Sequence, residues 1–232
     1  LNTFQELCGK SAVEEMAAAS MGNAVSDIRK LWDEARPYAL EMSIPEKDVL
    51  RGKILEEVRS TIFPWHRAAQ AADLSRKTWG LNPGPVSSEV FADILGIRLQ
   101  TLQSQDVSSI VPLTAGFLGT PGTDAIKVHL HGRFSTGRRF AFARVIGACL
   151  DAEKPERLLP ASDAATQRQK FQRAFAQELL CPYADLRDFI GDRTPDDPLI
   201  EDAAYYFDVS PLLIKTTLVN KKMLDRWVMG YR

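Results

Sequence analysis

The stretch RRFAFARVIGACL, residues 138–150, decides how this chain folds. Between Phe140 and Leu150 its only charged residue is Arg144, so the segment is apolar on nearly every face. A helix that is apolar all round is suited to burial, since it has no face for water. The stretch therefore predicts a central helix that is enclosed by other elements and carries one guanidinium.

Helical spacing of apolar residues recurs on both sides of this stretch. Ser87 is placed to cap one of these helices, and Gly96 is placed to end it. The predicted helices cover residues 65–78, 87–95, 163–181, 200–207 and 211–218. Most of the chain is therefore expected to be helical.

Alternation of apolar and polar residues predicts a few strands. Residues 125–131 alternate as a half-buried strand does, and residues 97–103 follow the same pattern. Residues 104–123 are rich in turn-forming residues, and residues 154–160 are typical of a Pro-containing linker. The predicted fold class is α+β, mostly helical, with a small sheet of about three strands packed on the central helix.

Composition limits the class of protein. The 232 residues are 45% hydrophobic and 25% charged, with a net charge of −1, so the basic excess typical of nucleic-acid-binding proteins is missing. Cys8, Cys149 and Cys181 are widely spaced and odd in number, which is typical of reduced thiols in a cytoplasmic protein. No apolar run approaches the roughly 20 residues of a membrane span, so no membrane association is expected. The first residue is Leu1, which leaves room for a domain upstream.

Segments in three places resemble the ImmA/IrrE family of zincin-like metallopeptidases. The first is residues 85–97, which are similar to the helix that leads into the family's sheet. The second is RRFAFARVIGA (residues 138–148), against the family pattern R-R-x-F-T-L-A-H-E-L-G-H, and the third is RAFAQELLCP (residues 173–182), against A-N-x-F-A-x-E-L-L-M-P. After the third segment, residues 207–210 (FDVS) also resemble the family's later F-x-V-S. The resemblance implies a zincin-like domain over residues 63–232, preceded by an N-terminal helical extension or linker over residues 1–62.

The chemistry of this family depends on the motif H-E-x-x-H, in which two histidines bind zinc and the glutamate activates the metal-bound water. The resemblance puts Arg144, Val145 and Ala148 at those positions, and Gln169 near the position of a later acidic ligand. Arginine offers only donors, and residues 164–177 contain no Asp or Glu. We therefore expect no metal, no other cofactor and no hydrolysis. The expected function is a regulatory module that binds a protein, a peptide or a sensed ligand.

The degenerate site is also a candidate binding cleft. Arg144 would supply a positive charge, with Glu178 or the carboxylate of a bound peptide as its partner; an arginine that only faces solvent is the simpler interpretation. His129 and His131 would lie beside the cleft on a strand whose free edge could pair with an extended peptide. These histidines and Cys149 could form a replacement metal site, although two solvent-facing histidines and a buried thiol are the simpler interpretation.

Two other functions stay open. An active peptidase would need unconventional metal ligands. A DNA-binding regulator is indicated by the helix-turn-helix spacing of residues 200–219, whose second helix region offers Lys215 and Lys221. A local basic patch precedes the central helix and could hold a phosphate at its N-terminus, although a solvated turn is the simpler interpretation. Its members are Arg133, Arg138 and Arg139.

Overall fold

The computed structural model describes residues 2–20, 22–58, 63–106, 108, 110–119, 125–152 and 156–225. Within them the chain is mostly helical and has a small antiparallel sheet, which confirms the predicted α+β class. The sheet has four strands, where the sequence predicted about three.

Helices make up most of the described chain. Their bounds are α1 (Asn2–Cys8), α2 (Lys10–Ala19), α3 (Ala24–Lys30), α4 (Lys47–Lys53), α5 (Pro64–Thr78), α6 (Ser88–Leu95), α7 (Leu99–Gln103), α8 (Ser135–Asp151), α9 (Gln167–Leu180), α10 (Tyr183–Ile190), α11 (Asp197–Phe207) and α12 (Pro211–Asn220). Two π-helical turns, Leu31–Ala35 and Ile54–Val58, extend α3 and α4, and a 3-10 turn covers Arg36–Tyr38. Every helix named in the sequence analysis is confirmed, as α5, α6, α8, α9, α11 and α12.

The strands are β1 (Leu40–Met42), β2 (Thr114–Leu118), β3 (Ile126–His129) and β4 (Leu158–Ala161), in the spatial order β1-β3-β2-β4. All neighbouring strands are antiparallel. The strand predicted at residues 125–131 is confirmed as β3, but its predicted position at a sheet edge is wrong. Val128 pairs with Leu40 on one side and with Gly116 on the other. An extended peptide therefore has no free edge of β3 to pair with.

Three local predictions are wrong. Residues 97–103 contain α7 instead of a strand, β2 lies within the turn-rich region, and β4 begins inside the predicted linker. β2 and β4 each contain a residue that weakens the strand signal, Gly116 in β2 and Pro160 in β4. Pro160 is tolerated because β4 is an edge strand, where a missing N–H removes no bond on its open side.

Helices cover both faces of the sheet. Along β2, Ala115 and Phe117 pack with the apolar residues of α2 and α3, whereas Gly116 faces α8. A Cβ atom on Gly116 would lie 2.7 Å from Cγ1 of Val145, so a side chain here would push α8 away. α9 lies against another side of α8, where Gly147 leaves room for the Phe175 ring. The central helix is therefore enclosed, as its sequence predicts.

The described residues before position 59 contribute directly to this arrangement. β1 extends the sheet, and Ala12 and Met16 of α2 are fully buried in the cluster that includes Phe117. The predicted boundary after residue 62 lies beside residues 59–62, which are outside the described part of the chain, and it stays a prediction.

Replacing Gly147 by alanine should destabilise the protein, because the new Cβ atom would lie 2.9 Å from the Phe175 ring. Overpacking of this kind costs about 1–3 kcal/mol. Gly137 gives a matched control in the same helix, since a Cβ atom there meets nothing within 4 Å. Gly137→Ala should preserve stability or raise it by up to about 1 kcal/mol. Denaturant unfolding followed by circular dichroism measures both, and equal stabilities would contradict the close packing of α8 on α9.

Candidate functional site

Arg144 lies in the middle of α8, and its side chain reaches the start of α9. It is 8% exposed. Its Nη2 donates to Oε1 of Gln169 at 2.6 Å and to the carbonyl of Ser162. The two residues that the family resemblance places at the first histidine and at the later acidic ligand are thus in direct contact.

Gln169 is the centre of a buried hydrogen-bond network. Its Oε1 also accepts from the Ser162 amide at 3.0 Å, and its Nε2 donates to the Pro160 carbonyl at 2.8 Å and to Oε2 of Glu15 at 2.9 Å. Oε2 of Glu15 also accepts from Oγ1 of Thr166 at 2.7 Å. All polar atoms of the Gln169 side chain therefore have partners, and the amide is fixed with its oxygen toward the guanidinium.

Glu15 is a member of this site that sequence reasoning missed. It belongs to α2 and is 6% exposed, on the same buried side of the helix as Ala12 and Met16. One local signal existed, because a carboxylate on an apolar helix face needs a buried partner. That partner, Gln169, is 154 residues away along the chain, so spacing alone could not identify it.

The other two positions that the family resemblance assigns, Val145 and Ala148, take part in packing. Val145 is fully buried and faces Gly116 of β2, and its apolar side chain cannot act as a general base. Ala148 lines a small cavity of about 10 Å³ together with Glu15. Zinc requires imidazole, thiolate or carboxylate ligands, and a guanidinium, a methyl group and an amide do not fit that requirement.

The charge of Arg144 is poorly compensated. The side chain makes no ion pair with the described residues, and its buried Nε has no hydrogen-bond partner among them. The pKa of Arg144 is lowered to about 10, mainly by burial and also by the nearby charge of Arg173, while Asp163 acts in the opposite direction. The group still carries its proton at neutral pH. A buried cation with this little compensation is costly, which is a reason to look for an anionic partner.

An open cleft of about 740 Å³ adjoins Arg144. Its walls come from the end of α2, the start of α3, the start of β2, the first half of α8 and the loop after β4. Its polar lining includes Asp27, His131 and Asp163, and its apolar lining includes Phe140. A cleft of this size falls within the usual range for binding small organic molecules or peptides. We call it the Arg144 cleft.

Glu178 does not lie beside Arg144, so the predicted pairing of these two residues is wrong. Its Oε1 accepts from the Tyr183 amide at 3.2 Å, at the C-terminal end of α9. Gln169 is near the other end of the same helix, and nine residues of helix span roughly 13 Å. Burial raises the pKa of Glu178, and its partners belong to the α9–α10 turn.

The two histidines and Cys149 are not brought together. His129 is buried, with Nε2 3.3 Å from the Val111 carbonyl, so the expectation that it faces solvent is wrong. His131 is exposed and lines the Arg144 cleft, with Nδ1 3.3 Å from the Ser108 carbonyl. Cys149 is fully buried near Arg51, and burial raises the pKa of its thiol to about 11. Among the described residues, no group of three His, Cys, Asp or Glu side chains could hold a metal ion.

The predicted basic patch before the central helix is not a surface feature, apart from the exposed Arg133. Arg138 is buried and donates to the carbonyls of Thr101 and Asp106, both at 2.8 Å. Arg139 is fully buried and forms an ion pair with Asp208. These two arginines hold the α7 region and the α11–α12 turn against α8, so they are not free to bind a phosphate.

The helix-turn-helix spacing corresponds to α11 and α12, but its basic residues contact their own domain. Lys215 forms an ion pair with Asp197 at 2.8 Å, and Lys221 lies over the Tyr183 ring at 4.4 Å from its centroid. The turn between the helices is held by the pair of Arg139 and Asp208. This arrangement supports a packing role for α11 and α12.

No family model matches the chain, and no curated protein is significantly similar to it. Within the described residues, no helix has both the length and the apolar character needed to cross a bilayer.

Replacing Glu15 by alanine should destabilise the protein by about 1–3 kcal/mol, because Nε2 of Gln169 and Oγ1 of Thr166 would lose a buried acceptor. Glu14 is the matched control, since its side chain is 64% exposed and makes only a long ion pair, with 3.8 Å between its Oε1 and Nζ of Lys10. Glu14→Ala should change stability by less than about 0.5 kcal/mol. Thermal unfolding compares the two variants, and an equal loss in both would show that Glu15 does not anchor α2 to the site.

Proposed function

We propose that this chain is a metallopeptidase-like domain of the ImmA/IrrE type that has lost its metal chemistry and works as a regulatory binding module. Its ligand, a peptide, a partner protein or a sensed small molecule, occupies the Arg144 cleft. The observation that carries the proposal is the hydrogen bond between Arg144 and Gln169. Two positions that a zinc ion would hold together in the family are held together here by an arginine and an amide.

The geometry around this hydrogen bond supports a binding role over a vestigial one. A site that had only decayed would be expected to fill with apolar side chains, since buried charge is costly. Here a charged guanidinium, that of Arg144, is present. Its partner amide, Gln169, is fully hydrogen-bonded, and Arg144 lines an open cleft of about 740 Å³. These features are what a site for a polar or anionic ligand requires.

No specific observation favours the other two functions. The suggested replacement ligands His129, His131 and Cys149 do not converge, and the described residues contain no group of three His, Cys, Asp or Glu side chains that could hold a metal ion. DNA binding would need basic residues free to reach phosphates, whereas Lys215 and Lys221 contact Asp197 and Tyr183. As part of the proposal, the module acts in the cytoplasm, where its three thiols stay reduced.

Restoring the ligands tests the proposal. The triple variant Arg144→His, Ala148→His, Gln169→Glu should bind about one zinc ion per chain, because two histidines one helical turn apart and a carboxylate from the facing helix form a zinc site. Wild type should bind none. Elemental analysis after dialysis against zinc, with circular dichroism to verify folding, measures both.

The matched control is Arg144→His, Gln169→Glu, which lacks the second histidine and should bind zinc at least about tenfold more weakly. Tightly held zinc in wild type would contradict the proposed loss of metal chemistry. A folded triple variant with no more zinc than the double variant would contradict the zincin-like arrangement of α8 and α9.

A further inference from the structure

Some hydrogen-bond donors of Arg144 have no partner among the described residues. Both of its hydrogen bonds to described residues come from Nη2, while Nη1 donates to none of them. The side chain is 8% exposed and lines the Arg144 cleft, so its charge is presented at the floor of that cleft. A guanidinium that is mostly desolvated binds a carboxylate more strongly than an exposed one does.

Neighbouring charged groups do not fully compensate the positive charge of Arg144. Arg173 also donates to the carbonyls of Ser162 and Ala164, which places a second guanidinium close to Arg144. Glu15 is already used by Gln169 and Thr166. Asp163 offsets part of the charge of these two guanidinium groups, but none of the described carboxylates forms an ion pair with Arg144, so the floor of the cleft keeps a net positive charge.

The walls of the cleft carry the opposite charge. Asp27 of α3 and Asp163 of the loop after β4 both line it, and neither forms an ion pair with a described residue. A ligand that is only anionic would be attracted by the floor and repelled by these two carboxylates. A ligand with one anionic end and one cationic end would satisfy both.

We propose that the Arg144 cleft binds a short peptide with free ends, whose C-terminal carboxylate pairs with Arg144 and whose N-terminal ammonium lies near Asp27 of α3. This inference rests on the proposed function, because it assigns a ligand class to the same cleft. A volume of about 740 Å³ is large for a single amino acid and suits a peptide of a few residues. Phe140 and Leu113 supply apolar contacts for its side chains.

The test uses the full chain and a pool of randomised tripeptides with free ends, observed by saturation-transfer NMR and then by calorimetry on the best binders. Free tripeptides should bind, and amidation of the C-terminus or acetylation of the N-terminus should each weaken binding at least tenfold. Single free amino acids should bind at least tenfold more weakly than tripeptides. Equal binding of free and capped peptides, or of peptides and amino acids, would overturn the proposal, as would no binding at millimolar concentration.

Variants assign the two ends of the peptide. In Arg144→Met, amidation should no longer weaken binding, and in Asp27→Asn the cost of acetylation should fall. Arg133→Met is the matched control for the arginine, because Arg133 is exposed and does not line the cleft. A full cost of amidation in a folded Arg144→Met would overturn the assignment of the carboxylate.

A steric variant keeps the test decisive if Arg144→Met does not fold. Gly137 lines the cleft, and a Cβ atom on it meets nothing within 4 Å. Gly137→Phe should therefore fold and abolish peptide binding by filling the cleft. Gly52→Phe is the control, since Gly52 also has open space and lies on α4, outside the cleft. Unchanged binding in Gly137→Phe would place any peptide elsewhere and overturn the proposal.

The outcomes separate the two proposals. If the zinc-restored variant takes up zinc and no tripeptide binds wild type, the ligand class is wrong and the proposed function stands. If tripeptides bind as expected and the restored variant takes up no zinc, the cleft is a peptide site without a metallopeptidase relationship.

Discussion

The site depends on one buried hydrogen bond, from Nη2 of Arg144 to Oε1 of Gln169. A desolvated guanidinium is unfavourable, so the acceptors around it have to be held in place. Gln169 can serve because its amide nitrogen is occupied by Pro160 and Glu15, which turns its oxygen toward the arginine. Reversing the amide would face two donors to each other and break several bonds together. The orientation of one side chain therefore links α8, α9, α2 and β4.

This linkage explains why the N-terminal helices belong to the site. Glu15 brings α2 to Gln169, and the end of α2 with the start of α3 forms a wall of the Arg144 cleft. The same helices bury Ala115 and Phe117 on one face of the sheet, while Gly116 between them allows α8 to pack on the opposite face. The alternation of β2 thus allows α2 and α3 to pack on one face of the sheet and α8 on the other.

The sequence predicts what is local and misses what is distant. The helix that contains Arg144 follows from its apolar composition, and α6 follows from the cap at Ser87, whose Oγ accepts from the Val90 amide. β2 and β4 are missed because their stability comes from pairing across the sheet and not from their own residues. The partner of Arg144 is the clearest case. The charge of Glu178 makes it the expected partner, but helix geometry puts it at the far end of α9, and the neutral Gln169 is the residue in reach.

Under the proposed function, replacing a metal by an arginine separates two properties that zinc combines. Zinc supplies positive charge and also lowers the pKa of a bound water to make a nucleophile. A guanidinium supplies the charge and donors, but it has no orbital to accept a water lone pair. With Val145 at the position of the general base, no group there could activate water either. Attraction for a carboxylate is then preserved while the means of hydrolysis is removed, which is the combination that a binding module derived from a peptidase requires.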